Sequence, residues 1–271
     1  MNNDIELQIL EALSEFFSLQ NDFQVKAMGQ ENWWEVDKIG DKPVNYTIAT
    51  IAELAEAIES LDFKWWGSGK EDLVNFGVEL IDILHFELSN SMRIMGKRFE
   101  EFSIDKLIHI KNPLLNELAS GIKEDLDEIN KRDKQKDLNK SFDKEEFYEL
   151  LISFIRYSAT LSGKNILTKP LFLEQYVINI RYVFKMLFAL GFTVNEIREK
   201  YKLKNALNNV RKLNGYKEGV YVKTWLNIHN GIQDEDNKIA LNLIKDKNYS
   251  FDGMIEVLDN YYKENIKSLN D

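Results

Sequence analysis

The sequence predicts an all-α protein, built as a bundle of several helices. Apolar residues recur at helical spacing along almost the whole chain, and no segment shows the regular alternation typical of a β-strand. Only three of the 271 residues are proline. This scarcity permits long uninterrupted helices, because a proline inside a helix costs about 3 kcal/mol of helix stability. A chain of this length can also bury a sizeable core.

The apolar periodicity places eight helices along the chain. They are expected over residues 4–27, 45–62, 70–96, 104–131, 143–162, 170–190, 193–213 and 250–267. The segment 124–144 is rich in charge and poor in apolar residues, so it is the expected position of a hinge. We therefore expect a single all-α domain, residues 1–271, with a mobile helical subdomain hinged near 124–144.

Composition excludes several classes of protein. The chain has no cysteine, which rules out disulfides and thiolate chemistry. It has no apolar run near the roughly 20 residues that cross a bilayer, and its N-terminus lacks the basic and apolar regions of a signal peptide. A formal net charge of -10 argues against binding to nucleic acid or to an anionic membrane. We expect a cytoplasmic protein.

Two neighbouring predicted helices each carry a pair of acids three residues apart. Glu53 and Glu56 lie in helix 45–62, and Glu79 and Asp82 lie in helix 70–96. Side chains at this spacing share one helix face, so each pair points in one direction. Helix 70–96 is apolar over most of its circumference, which indicates that its acids are internal. Four internal carboxylates require positive charge between them, and Mg²⁺, with Mn²⁺ as a substitute, suits an all-oxygen cage.

On the residues alone, these four acids also suit roles that involve no Mg²⁺. Acidic pairs at this spacing are common on solvated helix faces, which suits Glu53 and Glu56 as well as a metal site does. Buried ion pairs with lysine or arginine would neutralise all four acids. A di-iron carboxylate bundle would need a Glu-x-x-His pair from each half, and only the segment from Asp82 to His85 approaches that pattern.

A basic segment stands out in this acidic chain. Residues 198–223 contain eight lysines or arginines against two glutamates. Thr193 and Glu196 form a capping box that begins a helix, and Gly215 is placed to end it.

One polar stripe on this helix has the composition of a polyphosphate site. Lys204, Asn208 and Arg211 follow one another at spacing i, i+4, i+7, and Tyr216 and Lys217 come directly after the helix. They offer a point charge, a planar guanidinium, an amide and a phenol. Alternatively, the same residues form a basic helix face that is exposed to solvent and binds no ligand.

The acids and the basic stripe together predict phosphoryl chemistry. Carboxylates would hold divalent ions, the ions would hold phosphate oxygens, and cations from another helix would neutralise the remaining charge. A nucleotide pyrophosphohydrolase fits this set. The segment Gly67 to Lys70 lacks the spacing of a P-loop, so acids on helices would have to anchor the phosphates through metal.

Several motifs of the chain resemble those of one known family. The acid pairs read E-x-x-E and E-x-x-D, residues 63–66 read F-K-x-W, and residues 82–86 read D-I-x-H-F. A late block reads K-N-x-L-N-x-x-R, followed by G-Y-K-x-G-x-Y-x-K-x-W, over residues 204–225. In these features the chain resembles the dimeric all-α dUTPases. They belong to the all-α nucleoside triphosphate pyrophosphohydrolase superfamily, with MazG and dCTPase-like enzymes.

The resemblance implies an all-α bundle with a carboxylate-lined metal site between helices, and a homodimer. It implies hydrolysis of dUTP, and of dUDP, to dUMP, with water attacking the α-phosphorus, which keeps uracil out of DNA. Glu53, Glu56, Glu79 and Asp82 would bind Mg²⁺, and Glu53 would orient and deprotonate the water. The residues that match the phosphate-gripping positions, or that would assist them, are Lys204, Asn208, Arg211, Tyr216, Lys217 and Tyr221.

The resemblance also implies which residues meet the base and the sugar. The family pattern L-Q-x-x-h-N stands here as residues 19–24, with Gln20 in place and Gln24 where the family has asparagine. A glutamine amide has the same donor and acceptor as asparagine, so uracil pairing is retained while cytosine is not rejected. Trp66 is a candidate wall of the base pocket, and His85 a candidate contact to the sugar or brace of the metal site. A core or interface tryptophan and a core histidine are the alternatives.

Two alternatives to dUTP hydrolysis follow from the same residues. One is a related all-α pyrophosphohydrolase with another base preference, such as dCTP or the MazG-like house-cleaning substrates. The other is a regulatory protein that uses the fold without catalysis.

Overall fold

The computed structural model describes residues 2–96, 113–135, 144–161, 169–227, 231–245 and 247–270. These residues form nine α-helices. They are α1 (Asn2–Met28), α2 (Tyr46–Glu59), α3 (Leu73–Met95), α4 (Pro113–Gln135), α5 (Lys144–Leu161), α6 (Lys169–Ala189), α7 (Val194–Leu213), α8 (Asp236–Ile244) and α9 (Phe251–Asn270). The all-α prediction is confirmed. Parts of the expected helices 104–131 and 143–162, and residues 136–143 of the expected hinge, lie outside the described residues.

Two small antiparallel hairpins accompany the helices. Strand β1 (Lys38–Ile39) pairs with β2 (Lys42–Pro43), and β3 (Thr224–Leu226) pairs with β4 (Gln233–Glu235). Neither hairpin was predicted, and neither was α8. Strands of two or three residues are too short to show an alternating pattern.

The chain divides into two compact units, residues 1–198 and 199–271. In the first unit α3 is the central helix, and α1, α2 and α6 all pack against it. Its apolar residues are buried on nearly all sides, as the sequence predicted, and they include Phe76, Leu80, Ile83, Leu84 and Leu88. Burial of each such side chain stabilises the fold by about 1.5–3 kcal/mol.

Side-chain caps fix the first turns of the two acid-bearing helices. Asn45 accepts a hydrogen bond from the backbone N–H of Ile48 at the start of α2, at 3.1 Å. Asp72 does the same for Asn75 at the start of α3, at 2.9 Å. Each cap satisfies a helix N–H that has no partner within the helix, so both helices have defined ends.

Helix α7 has the ends that the sequence predicted. The carboxylate of Glu196 accepts from the backbone N–H of Thr193 at 2.8 Å, and the Thr193 hydroxyl accepts from the N–H of Glu196 at 3.2 Å, which completes a capping box. At the other end Gly215 has φ 80°, and the N–H of Tyr216 donates to the carbonyl of Arg211 at 3.0 Å. The positive φ of the glycine and this hydrogen bond are the features of a Schellman motif.

The second unit packs aromatic residues of β3 and α9 together. Trp225 is fully buried and lies against the rings of Tyr261 and Tyr262. The carbonyl of Leu226 accepts hydrogen bonds from the Tyr261 hydroxyl at 2.7 Å and the Asn265 amide at 2.9 Å. These contacts attach the β3–β4 hairpin to α9.

No single helix in the described part of the chain is both long and apolar enough to cross a membrane.

Candidate active site

Three acids from two helices meet at one place in the first unit. Glu53 and Glu56 on α2 and Glu79 on α3 each offer a carboxylate oxygen, and these oxygens lie within 4.8 Å of one another. Glu79 is buried, Glu53 is half-buried and Glu56 is exposed, so the cluster runs from the interior to the surface. Asp82 lies one turn further along α3, is half-buried, and is not a member of this group of three.

The donor set of this cluster fits a hard divalent cation. All three donors are carboxylate oxygens, the ligand type that Mg²⁺ and Mn²⁺ prefer. Ionised carboxylates at this separation repel one another. A cation bound between them would remove that repulsion. The cluster could therefore hold a metal ion through Glu53, Glu56 and Glu79.

A second buried acid, Glu87, lies on α3 and was not predicted. Glu87 on α3 is 1% exposed and accepts hydrogen bonds from the Thr50 hydroxyl at 2.9 Å and from the Asn179 amide at 3.1 Å. Burial raises the pKa of the Glu87 carboxyl from 4.5 to about 7, against the opposing effect of the two hydrogen bonds. Thr50 lies one turn before Glu53, so the bond to Glu87 ties the acid-bearing part of α2 to α3.

The two glutamines predicted to read the base converge on α3. Gln20 and Gln24 are buried, and their amide nitrogens both donate to the Ser89 hydroxyl, at 2.9 and 3.1 Å. The Tyr46 hydroxyl donates to the Gln24 carbonyl oxygen at 3.0 Å. This bond and the bond to Ser89 fix which way the Gln24 amide faces.

His85 lies one turn before Ser89 and is buried. Its Nδ1 lies 2.8 Å from the carbonyl oxygen of Ile81. A carbonyl oxygen only accepts, so Nδ1 carries a hydrogen and donates it to Ile81. The Ser89 hydroxyl in turn donates to the backbone carbonyl of His85 at 2.9 Å. His85, Gln20 and Gln24 thus belong to one polar region along α3.

Trp66 is at the surface. It is 63% exposed, and its neighbour Trp65 is 89% exposed. Its ring packs edge-on against those of Phe63 and Trp65, with ring centroids 6.0 Å and 5.4 Å away. The alternative that Trp66 is a core residue is therefore wrong, and its ring is available to a ligand or to another protein surface.

The predicted phosphate-binding residues lie in the second unit, where several contact one another. Arg211 binds the Asp236 carboxylate through Nε at 2.9 Å and Nη2 at 2.8 Å, and its Nη1 donates to Asn208 at 3.2 Å. Lys204 is buried and donates to the Asn237 side chain at 3.0 Å.

The remaining three residues of this set differ in exposure. Tyr221 is buried and its hydroxyl donates to Asp236 at 2.8 Å, whereas Tyr216 and Lys217 are exposed. Two cations lie near the Tyr216 ring, with Arg211 Cζ at 5.9 Å and Lys223 Nζ at 5.5 Å from its centroid.

A family model described as dUTPase matches residues 12–216 of the chain. The chain belongs to the dUTPase family. The predicted resemblance is confirmed, and the chain is a dUTP diphosphatase that acts on a small nucleotide. A comparison with curated proteins gives no match.

The dUTPase match contains most of the predicted site. It covers the four acids, both glutamines, Trp66 and His85, and it ends at Tyr216. Lys217 and Tyr221 lie beyond it, as does Asp236. The dUTPase family is metal-dependent in general, which agrees with the carboxylate cluster.

Two features of this dUTPase were not predicted from its sequence. Glu87 is an acid inside the largely apolar helix α3, about 80° from Glu79 on the helical wheel, and this position was a usable signal. Asp236 follows Arg211 by 25 residues. No periodicity connects residues at that separation, so their pairing could be read only from the tertiary structure.

Proposed function

We propose that this dUTPase hydrolyses dUTP to dUMP and pyrophosphate, and dUDP to dUMP and phosphate, in a Mg²⁺-dependent reaction. The oxygen of water forms a bond to the α-phosphorus, and the bond from that phosphorus to the oxygen bridging to the β-phosphorus breaks. The observation that carries this proposal is the approach of Glu53, Glu56 and Glu79 from two helices to within 4.8 Å of one another.

Each acid has a role in the proposed reaction. Glu53, Glu56, Glu79 and Asp82 hold the cation, and Glu53 also orients the attacking water and accepts its proton. When bound, the cation would supply positive charge to the phosphate oxygens. Glu79 is the buried member of the cluster, and its carboxylate is the ligand type that Mg²⁺ prefers.

Different residues bind the base and the phosphates in this proposal. Gln20 and Gln24 pair with uracil, His85 contacts the sugar or braces the acids, and Trp66 covers the base. The fixed Gln24 amide supports this assignment, because a recognition group works best when its orientation is set before binding. The phosphates are gripped by Lys204, Asn208, Arg211, Tyr216, Lys217 and Tyr221.

An apolar surface on α2 supports a homodimer. Ile48 and Ile51 are exposed one turn apart, and Trp65, Trp66 and Val74 are exposed nearby in the sequence. Exposed apolar side chains on a helix face are available for protein–protein contacts. Light scattering coupled to gel filtration tests the dimer: a mass of one chain across the micromolar range contradicts it.

The reaction is tested with a panel of nucleotides. Pyrophosphate and phosphate release are measured from dUTP, dUDP, dCTP, dTTP and UTP, with Mg²⁺, with Mn²⁺ and with chelator. We expect release from dUTP and dUDP that depends on the cation. Equal turnover of dCTP would instead assign a broader pyrophosphohydrolase, and turnover that survives complete chelation would contradict the metal site.

Two matched substitutions locate the site. Glu79→Gln keeps the size of the side chain and removes its charge, and it is expected to lower kcat by at least about a hundredfold. Glu59→Gln, on the same helix as Glu53, is the control, because Glu59 is exposed and its carboxylate forms a surface ion pair with Lys64. Full activity of the Glu79 variant would show that the acids do not form the reaction centre.

A further inference from the structure

Asp236 is a buried carboxylate that binds two of the proposed phosphate-gripping side chains at once. It begins α8 and is 1% exposed. One of its oxygens accepts from Arg211 Nη2 at 2.8 Å, and the other accepts from Arg211 Nε at 2.9 Å and from the Tyr221 hydroxyl at 2.8 Å. Its own backbone N–H donates to the carbonyl of Lys223 at 2.8 Å. Asp236 is therefore held by both its side chain and its backbone.

These contacts fix the orientation of the Arg211 guanidinium. Two parallel hydrogen bonds from Nε and Nη2 to one carboxylate set both the position and the plane of the group. Nη1 also donates to Asn208 at 3.2 Å, and Nη2 to Asn237 at 3.3 Å. An arginine side chain has several freely rotating bonds, so an unsupported guanidinium would lose entropy each time it bound a ligand.

Tyr221 is fixed by the same carboxylate. Burial, together with the nearby negative charge of Asp236, raises the pKa of the Tyr221 phenol above its ordinary value of 10. The phenol therefore stays protonated and keeps donating to Asp236. Tyr221 also stacks on Tyr262 of α9, with ring centroids 4.7 Å apart.

The fixed guanidinium lies beside an exposed basic surface. The Tyr216 ring, which is half exposed, lies near the cationic groups of both Arg211 and Lys223. Lys217 and Lys223 are both exposed. A ligand that approaches this surface meets the exposed cations of Lys217 and Lys223 and one guanidinium whose position is already set.

We infer that Asp236 is a positioning residue, which orients Arg211 and Tyr221 for the phosphates of the nucleotide without touching the substrate itself. The inference rests on the proposed function, in which Arg211 and Tyr221 grip phosphate. The inference predicts the opposite change in phosphate binding from the one that the charge of Asp236 alone would produce. Removal of a negative charge beside a phosphate site strengthens phosphate binding by Coulomb attraction, whereas loss of a positioning residue weakens it.

The test is binding of inorganic tripolyphosphate, measured by calorimetry on the full chain without turnover. Asp236→Asn removes the charge and one of the two acceptors for the Arg211 guanidinium. We expect its Kd to rise about tenfold, the factor that corresponds to loss of about 1.4 kcal/mol. Asp259→Asn is the control, because Asp259 lies in the same unit and accepts from Asn214 and Lys263, outside the proposed site. Its Kd should stay within about twofold of that of the original chain.

A second variant covers the case in which Asp236→Asn does not fold. Asp236→Glu keeps the charge and lengthens the side chain by one methylene, so it shifts the guanidinium and retains the ion pair. A Kd raised several-fold supports positioning. An unchanged or lowered Kd in either folded variant overturns it, as does absence of tripolyphosphate binding by the original chain.

Coupling to Arg211 distinguishes positioning from a purely structural role. In the Arg211→Lys background, Asp236→Asn should change Kd by a smaller factor than in the original chain, because only Tyr221 is left for Asp236 to orient. If Asp236 has only a structural role, Asp236→Asn changes Kd by the same factor in both backgrounds. That result would overturn the inference. Failure of dUTP hydrolysis with intact tripolyphosphate binding would contradict the proposed function alone. Normal dUTP kinetics of Asp236→Asn would contradict the inference alone.

Discussion

Replacement of Glu87 by glutamine is expected to stabilise the protein at alkaline pH. The introduced amide keeps an oxygen that accepts from the Thr50 hydroxyl and places an N–H toward Asn179. Asn179 can turn its own amide to receive that N–H. Its oxygen is buried without a hydrogen-bond partner among the described residues, and Ser158, 3.5 Å away, can donate as well as accept. The substitution therefore exchanges a buried charge for a neutral amide.

The magnitude follows from the pKa of Glu87, which burial raises from 4.5 to about 7. Below pH 4.5 the folded and unfolded chains both carry the proton, and the carboxyl does not affect stability. Between pH 4.5 and 7 the unfolded chain releases the proton first, so the free energy of unfolding falls as the pH rises. Above pH 7 the loss reaches about 3 kcal/mol, at about 1.4 kcal/mol for each unit of pKa difference.

The assay is thermal and urea unfolding of the original chain and of Glu87→Gln at about pH 5 and about pH 8. At the higher pH the variant should be more stable by about 3 kcal/mol, which raises Tm by about 6 to 12 °C in a unit of this size. At the lower pH the difference should be below about 1 kcal/mol. Glu59→Gln, at an exposed glutamate, should change stability by less than about 1 kcal/mol at either pH. Equal effects of Glu87→Gln at the two pH values would refute the reasoning.

Three further substitutions test the fold, each by urea unfolding. Leu84→Ala empties a fully buried position of α3 and should lower the free energy of unfolding by about 2–5 kcal/mol, and a loss below about 1 kcal/mol would contradict its central place. Thr193→Ala removes the capping box of α7 and should cost about 1 kcal/mol, whereas an unchanged midpoint would show that the cap is dispensable. Gly215→Ala puts a methyl group 2.3 Å from Val220 at a φ of 80°, so it should cost more than about 1 kcal/mol, and a neutral result would contradict the Schellman geometry.

Periodicity predicted the long helices because their apolar residues face a common core. Helix α3 is the clearest case, since its apolar residues cover most of its circumference and its central position follows from that pattern. Helix α8 has only nine residues and begins with the polar run Asp236 to Lys238, so too few apolar positions recur to reveal it. The two hairpins are shorter still, and pairing with a partner strand rather than sequence pattern creates them.

The candidate site was predictable where it depends on local spacing. Residues three apart on a helix share a face, so the spacing of Glu53 and Glu56 was enough to assign both side chains to one direction. Their meeting with Glu79 required only that two neighbouring helices pack together. The partners of Arg211 were not predictable, because Asp236 comes from a later helix and is brought to it by the fold. The sequence predicted that Arg211 grips phosphate, and the structure adds Asp236 as its carboxylate partner.

The distribution of the five tryptophans divides the intrinsic fluorescence of the protein into two populations. Trp33, Trp34 and Trp225 are buried, so their emission is shielded from dissolved iodide. Trp65 and Trp66 lie side by side at the surface, where iodide quenches their emission freely. A nucleotide or a second subunit that covers this pair would reduce the quenching and shift the emission to shorter wavelength. The chain therefore carries an optical reporter of events at that loop, without any attached dye.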